Sequence, residues 1–203
     1  MDLPSRFPRT LPSAWLLAAV LMLGSCADQQ ASFRSTDVTG AEFGRDFELI
    51  GHDGEPRSLE DFRGQVTVVF FGFTHCPDVC PITLAELAAA LDKLGEDAKR
   101  VQVLLITVDP ARDTPEVLRG YVTAFHPSFV GLTGSAEQIA SVAREFKVIY
   151  QRVDGSSPET YSMDHSAGSF VFDPEGRLRL YVSYGQGAEV FAHDIAQLLK
   201  TSG

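Results

Sequence analysis

Two mostly apolar, largely β-branched runs, 65–71 and 101–108, constrain this chain more than any other feature. Apolar side chains at almost every position, rather than at alternate ones, describe strands covered on both faces, the kind found inside a parallel sheet. Each run is followed by a helical pattern. After the first, Leu84, Leu87, Ala88, Leu91 and Leu94 form one apolar stripe. After the second, Thr114 and Pro115 mark a helix start whose inner face carries Leu118, Tyr121, Val122 and Phe125. Successive strand–helix units of this kind fold as α/β.

The remaining elements extend that frame. Residues 47–50 read as a short strand closed by a turn at Asp53-Gly54, and Ser135 with Gln138 has capping-box spacing for a third helix. A strand is expected at 148–153, a Gly/Ser/Pro loop at 154–159, and a hairpin whose strands, 169–173 and 178–183, flank Asp173-Pro174-Glu175-Gly176. A last helix covers about 188–199, and no internal repeat is found. The expected class is α/β, with one domain over 43–203 and a central mixed sheet flanked by helices.

The first 42 residues have another character. Arg6 and Arg9 precede an apolar stretch at 11–23, shorter than the ~20 residues needed to span a bilayer. The stretch ends in Leu23-Gly24-Ser25-Cys26, which resembles a bacterial lipobox. Residues 1–25 are therefore expected to be a lipoprotein-type signal peptide, and Cys26 the lipidated first residue of the mature chain. Residues 26–42, polar and small, read as a flexible lipid-anchored tether. The domain would work outside the cytoplasm, on the periplasmic side, attached to a membrane. A net charge of −10 without a basic stripe argues against nucleic acid as a partner.

Three cysteines occur, and with Cys26 at the leader junction the folded part keeps Cys76 and Cys80. They stand in Phe71-Gly72-Phe73-Thr74-His75-Cys76-Pro77-Asp78-Val79-Cys80-Pro81. A disulfide ring this small removes little chain entropy and is a poor staple, so the pair reads as working chemistry. Cys76 falls in the turn after a buried strand, and Cys80 directly before a helix opened by Pro81. Unpaired N–H groups and the helix dipole favour negative sulfur there, so Cys80 is expected to ionise more readily than a free thiol. Far downstream, His165 stands in Tyr161-Ser162-Met163-Asp164-His165-Ser166, and the flexible loop before it would let it swing towards the thiols. Two sulfurs and one imidazole suit copper and thiol redox chemistry alike.

Around this set, Asp164 is a candidate to hold one ring nitrogen of His165, and Asp78 lies inside the cysteine loop. Asp109-Pro110-Ala111-Arg112-Asp113-Thr114 reads either as a turn plus helix cap, which accounts for Asp109, Asp113 and Thr114, or as a site edge to which Arg112 adds a cation at the strand ends shared with the thiols. Met163 reads as a packed thioether, and His52, His75, His126 and His193 as non-ligands. Phe70, Phe71 and Phe73 are expected in the core and the site wall.

The cysteine segment, then Thr107-Val108-Asp109-Pro110-Ala111-Arg112-Asp113-Thr114, then Asp164-His165-Ser166, resemble in this order the SCO/SenC family of copper proteins. The resemblance covers the chain from about residue 43 onward. It implies a thioredoxin-like fold and copper, as Cu(I) and also Cu(II), held by Cys76, Cys80 and His165. It further implies a metallochaperone assisting assembly of the dinuclear copper centre of cytochrome c oxidase. The implied partner is a copper-accepting oxidase subunit or another copper chaperone. Many members carry a transmembrane helix where this chain shows a lipobox-like end. The same cysteine pair also suits an extracytoplasmic thiol–disulfide reductase, or a thiol peroxidase with Arg112 steadying the thiolate. Structural zinc fits worst, because three donors fall short of the usual four.

Overall fold

The computed structural model describes residues 32–156 and 160–201, so the expected signal segment, Cys26 and the start of the tether lie outside the described residues. In chain order the elements begin with β1 (Thr36–Asp37), β2 (Glu48–Gly51), β3 (Pro56–Ser58), β4 (Val66–Gly72), α1 (Val79–Leu94) and β5 (Val101–Thr107). They continue with α2 (Pro115–Thr123), β6 (Val130–Thr133), α3 (Ala136–Glu145), β7 (Tyr150–Val153) and β8 (Ser162–His165). The last are β9 (Ser169–Phe172), β10 (Leu178–Val182) and α4 (Ala188–Thr201).

The main sheet runs in the order β1-β10-β9-β4-β5-β6-β2-β3. Strands β4, β5 and β6 are parallel, and the outer strands join antiparallel on both sides, which makes the sheet mixed. Every residue of β4 is buried, and β5 exposes only Gln102 in part, as doubly covered strands require. Helices α1 and α4 pack against each other, α2 lies on β6 and α3 on β2. Within the core Phe71, Phe146 and Phe170 meet ring to ring at 5.2–6.2 Å. Full burial of each such side chain contributes about 1.5–3 kcal/mol.

The topology places three segments at one edge. In the parallel pairing of β4 with β5, Gly72 stands opposite Thr107, so the loops leaving both strands start side by side. Strand β9 runs antiparallel to β4 with Ser169 opposite Phe70. Its N-terminal end, and the residues just before it, therefore arrive at the same edge. Those residues include His165.

Three expectations need correction. The tether does not extend to residue 42: β1 pairs with β10, and the N–H groups of Arg34 and Ser35 donate to the buried carboxylate of Asp194 at 2.9 Å each. These polar residues fold because α4 and β10 supply partners that a pattern of apolar residues does not reveal. Helix α1 starts at Val79 with Asp78 as its N-cap, not at Pro81. Pro81 lies within the first turn, where a missing N–H costs nothing because those donors have no intrahelical acceptor. His165 is held at the end of a strand instead of swinging on the loop before it: β8 pairs with β7 in a separate two-stranded ribbon, with His165 opposite Tyr150.

Candidate metal centre

The cysteine turn, residues 73–78, is tied down by one buried carboxylate. Thr74 donates its backbone N–H (3.1 Å) and hydroxyl (2.6 Å) to Asp113, and the Thr107 hydroxyl donates to the same group at 2.7 Å. Asp113 is fully buried, so these charge-assisted bonds lock the turn after β4 to the loop after β5. A second strut is the Val108 N–H donating to the Gly72 carbonyl at 2.8 Å. The residue pattern reads Asp113 as part of a helix cap. The cap is Thr114, whose hydroxyl accepts from the Val117 N–H, which leaves Asp113 free to hold the turn.

Cys76 is half-buried in that turn and Cys80 is wholly buried in the first turn of α1; both are free thiols. Gly72 makes room for the inner one, since a Cβ there would lie 2.8 Å from Cys80 Sγ. The Cys80 backbone N–H donates to Cys76 Sγ at 3.4 Å. The helix-end donor expected to favour a negative Cys80 thus serves the other sulfur. Burial dominates at Cys80 and pushes its thiol well above the ordinary range, with the neighbouring Cys76 adding to the rise. The expectation of a readily ionised Cys80 is therefore overturned: removal from water outweighs the Phe73 backbone hydrogen bond that favours the thiolate.

His165 completes the group. Its Nδ1 lies 3.0 Å from the Ser166 carbonyl, which only accepts, so Nδ1 carries the proton and Nε2 presents its lone pair. That Nε2 faces Cys80 Sγ at 3.5 Å. The ring meets Phe70 and Phe73 edge to face at 6.1 and 5.9 Å. Burial lowers its pKa and so favours the neutral imidazole, against the opposing pull of the Ser166 bond and the Asp164 charge. A neutral imidazole is the ligating form.

One donor atom from each of Cys76, Cys80 and His165 lies within 4.8 Å of the others. A cleft of about 260 Å³ opens onto Cys76 and His165, lined also by Phe73, Asp78, Met163 and Asp164, while Cys80 stays buried outside its lining. Two soft sulfurs and one imidazole at this spacing can close on a small soft cation. The same sulfurs can exchange with a disulfide.

The other candidates fall into place around this group. Asp164 is exposed, sits opposite Gln151 in the ribbon and makes no bond to the ring; its charge alone reaches His165. Asp78 is exposed at the cleft mouth. Arg112 does reach the shared edge, but it pairs with Asp109 and donates to the Tyr161 carbonyl at 3.0 Å instead of facing the sulfurs. Met163 packs against the core as expected. His52, His75, His126 and His193 bond to neighbouring groups and stay outside the cluster. Tyr161 escapes notice in the sequence, yet its hydroxyl donates to Asp109 at 2.8 Å. The signal is the period of two in Tyr161, Met163 and His165, which puts Met163 and His165 on one face of β8 with Tyr161 in step just before it.

Comparison with known proteins extends this reading. The SCO1/SenC family model matches residues 35–200. A mouse (Mus musculus) protein described as SCO2 homolog, mitochondrial, is 41% identical over 152 residues, which cover 74% of this chain and 60% of that protein's length. The solution structure of apo Sco1 from Thermus thermophilus superposes with a TM-score of 0.75 at 42% identity, covering 84% of this chain and 99% of that one. The crystal structure of Arabidopsis thaliana ScoI with copper bound superposes with a TM-score of 0.73 at 36% identity, covering 79% and 99%.

Proposed function

The chain belongs to the SCO1/SenC family, and from that premise we propose that it is a copper metallochaperone which delivers the ion for the dinuclear centre of cytochrome c oxidase. Its fold is thioredoxin-like, as in the Sco structures it superposes on. The observation that carries the proposal is the convergence of Cys76, Cys80 and His165, with donor atoms within 4.8 Å of one another. Because the chain spans 60% of the mouse relative's length, the role is argued from these residues and not transferred whole.

Copper is the cargo. Cys76 and Cys80 bind it as thiolates and His165 through Nε2, which gives a trigonal set. Thiolates select Cu(I), and the imidazole extends the set to Cu(II). The Cys80 proton leaves on binding, so capture of the ion is also what makes the buried sulfur anionic. The half-open Cys76 at the cleft is the sulfur from which an acceptor's thiols displace copper by ligand exchange. The acceptor is a copper-accepting oxidase subunit or another copper chaperone. A lipid on Cys26, following the signal segment 1–25, would hold the domain on the outer face of a membrane; among the described residues no helix is long and apolar enough to cross one.

A second reading is favoured by the inequality of the thiols. Cys76 is accessible and Cys80 wholly buried, an arrangement suited to thiol–disulfide exchange. Cys76 thiolate would attack a partner's disulfide and expel one partner thiolate, and Cys80 would then displace the second as the Cys76–Cys80 bond forms. The partner gains two electrons and this chain loses two.

An anaerobic Cu(I) competition titration of the reduced chain separates the two. The copper reading expects one tight site that the Cys76→Ser/Cys80→Ser variant lacks. Unchanged affinity in that variant contradicts it, and absence of a tight site in the intact chain leaves the exchange reading.

A further inference from the structure

Among the described residues, β7 and β8 form a two-stranded ribbon separate from the main sheet. At one end His165 leads almost directly into β9. At the other end, four residues away, stands Tyr161, and the grip on it is unusually complete. Its hydroxyl donates to Asp109 at 2.8 Å, and its carbonyl accepts from Arg112 Nη1 at 3.0 Å. Its ring centroid lies 3.7 Å from the guanidinium carbon of Arg112 and 3.7 Å from that of Arg152. A ring face has room for one guanidinium at that distance, so the two cations cover opposite faces. Arg112 is held in turn by its ion pair with Asp109, which is nearly fully buried at the C-terminal end of β5. Arg112 Nη2 is buried with no hydrogen-bond partner among the described residues, a cost that the stacked ring partly offsets.

This grip ties the free end of the ribbon to the loop after β5, the same loop that anchors the cysteine turn through Asp113. Tyr161 immediately precedes β8, and Tyr161, Met163 and His165 are half-buried where Ser162 and Asp164 are exposed, so fixing the first fixes the approach of the last. We propose that Tyr161, clasped by Asp109, Arg112 and Arg152, is a positioning residue that latches the ribbon and so sets His165 Nε2 at the two thiols. The latch rests on the copper reading for its role in ligation, though not for its existence. Released, it leaves a two-sulfur site and frees the third ligand, a route for copper to enter or leave.

The test compares the purified full chain with Tyr161→Ala, Tyr161→Phe and His165→Ala in two measurements. In the metal-free state, amide exchange at 162–165 should quicken by about tenfold or more in Tyr161→Ala and less in Tyr161→Phe, which keeps the ring between the cations. In the Cu(II)-loaded state, Tyr161→Ala should lose the nitrogen splitting of the electron paramagnetic resonance spectrum as His165→Ala does. The Tyr161→Ala/His165→Ala double variant should bind Cu(II) no more weakly than His165→Ala alone. Additive losses, or an unaltered copper spectrum in Tyr161→Ala, overturn the latch. If the intact chain shows no copper signal dependent on His165, the functional reading fails instead. The amide exchange then decides the latch alone, with unchanged rates overturning it.

Discussion

Gly72→Ala would place a methyl group where the inner thiol packs. The new Cβ would lie 2.8 Å from Cys80 Sγ, 2.9 Å from Phe70 Cε1 and 3.2 Å from Leu105 Cδ1. None of these neighbours has solvent to retreat into, since Cys80 and Phe70 are 0% exposed and Leu105 is 1% exposed. Overpacking of this kind costs about 1–3 kcal/mol. In a domain of this size each kcal/mol lowers the melting temperature by roughly 2–4 °C, so the metal-free variant should melt about 2–12 °C lower. The strand ends of β4 and β5 hold the backbone, so part of the strain moves the sulfur, and Cys80 Sγ shifts from its 3.5 Å station against His165 Nε2. Copper affinity should fall as well. Gly120→Ala is the matched control: nothing lies within 4 Å of its Cβ, it sits within α2, and alanine there should stabilise by roughly 0.5–1 kcal/mol. Calorimetry of both metal-free variants beside the parent reads the outcome. A neutral or stabilising Gly72→Ala with copper binding intact would refute the packing argument.

Two further outcomes follow from the same geometry. Asp113→Ala leaves the Thr74 N–H and the Thr74 and Thr107 hydroxyls without their acceptor, and should cost about 2–4 kcal/mol in urea unfolding while loosening the cysteine turn. Stability of the metal-free chain should fall on both sides of a plateau. Burial lowers the His165 pKa, so its contribution is present above the unfolded value of about 6.5 and is lost on acidification. Burial raises the Cys80 pKa, so its contribution is complete below about 8.5 and is lost as the solution becomes alkaline. Melting temperatures followed from pH 5 to pH 10 test both signs, with His165→Ala flattening the acid limb and Cys80→Ser the alkaline one.

The central strands and the first three helices were legible because burial on both faces and caps leave local signatures, as at Ser135 with Gln138. The ribbon was harder to read. Ser162–His165 alternates polar and half-buried residues over four positions and becomes a strand only against β7. Strand β6 is equally short, and its Gly131 lies where Leu118 of α2 closes down on the sheet. The start of the fold was hidden for another reason: Arg34 and Ser35 hydrogen-bond to Asp194, 159 or more positions away, with Phe33 and Val38 packed in part against the core on either side. At the site, the ligand types and their order could be read from the motifs. Which thiol is buried could not, because that depends on where α1 begins and on how closely Gly72 approaches Cys80.

The central claim is that copper sits between Cys76, Cys80 and His165, and X-ray absorption at the copper edge of the loaded, reduced chain tests it most directly. The account predicts two sulfur scatterers and one imidazole nitrogen, with the nitrogen shell lost in His165→Ala and the sulfur shell lost in Cys76→Ser/Cys80→Ser. A shell without imidazole in the intact chain, or one unchanged by these substitutions, would contradict it.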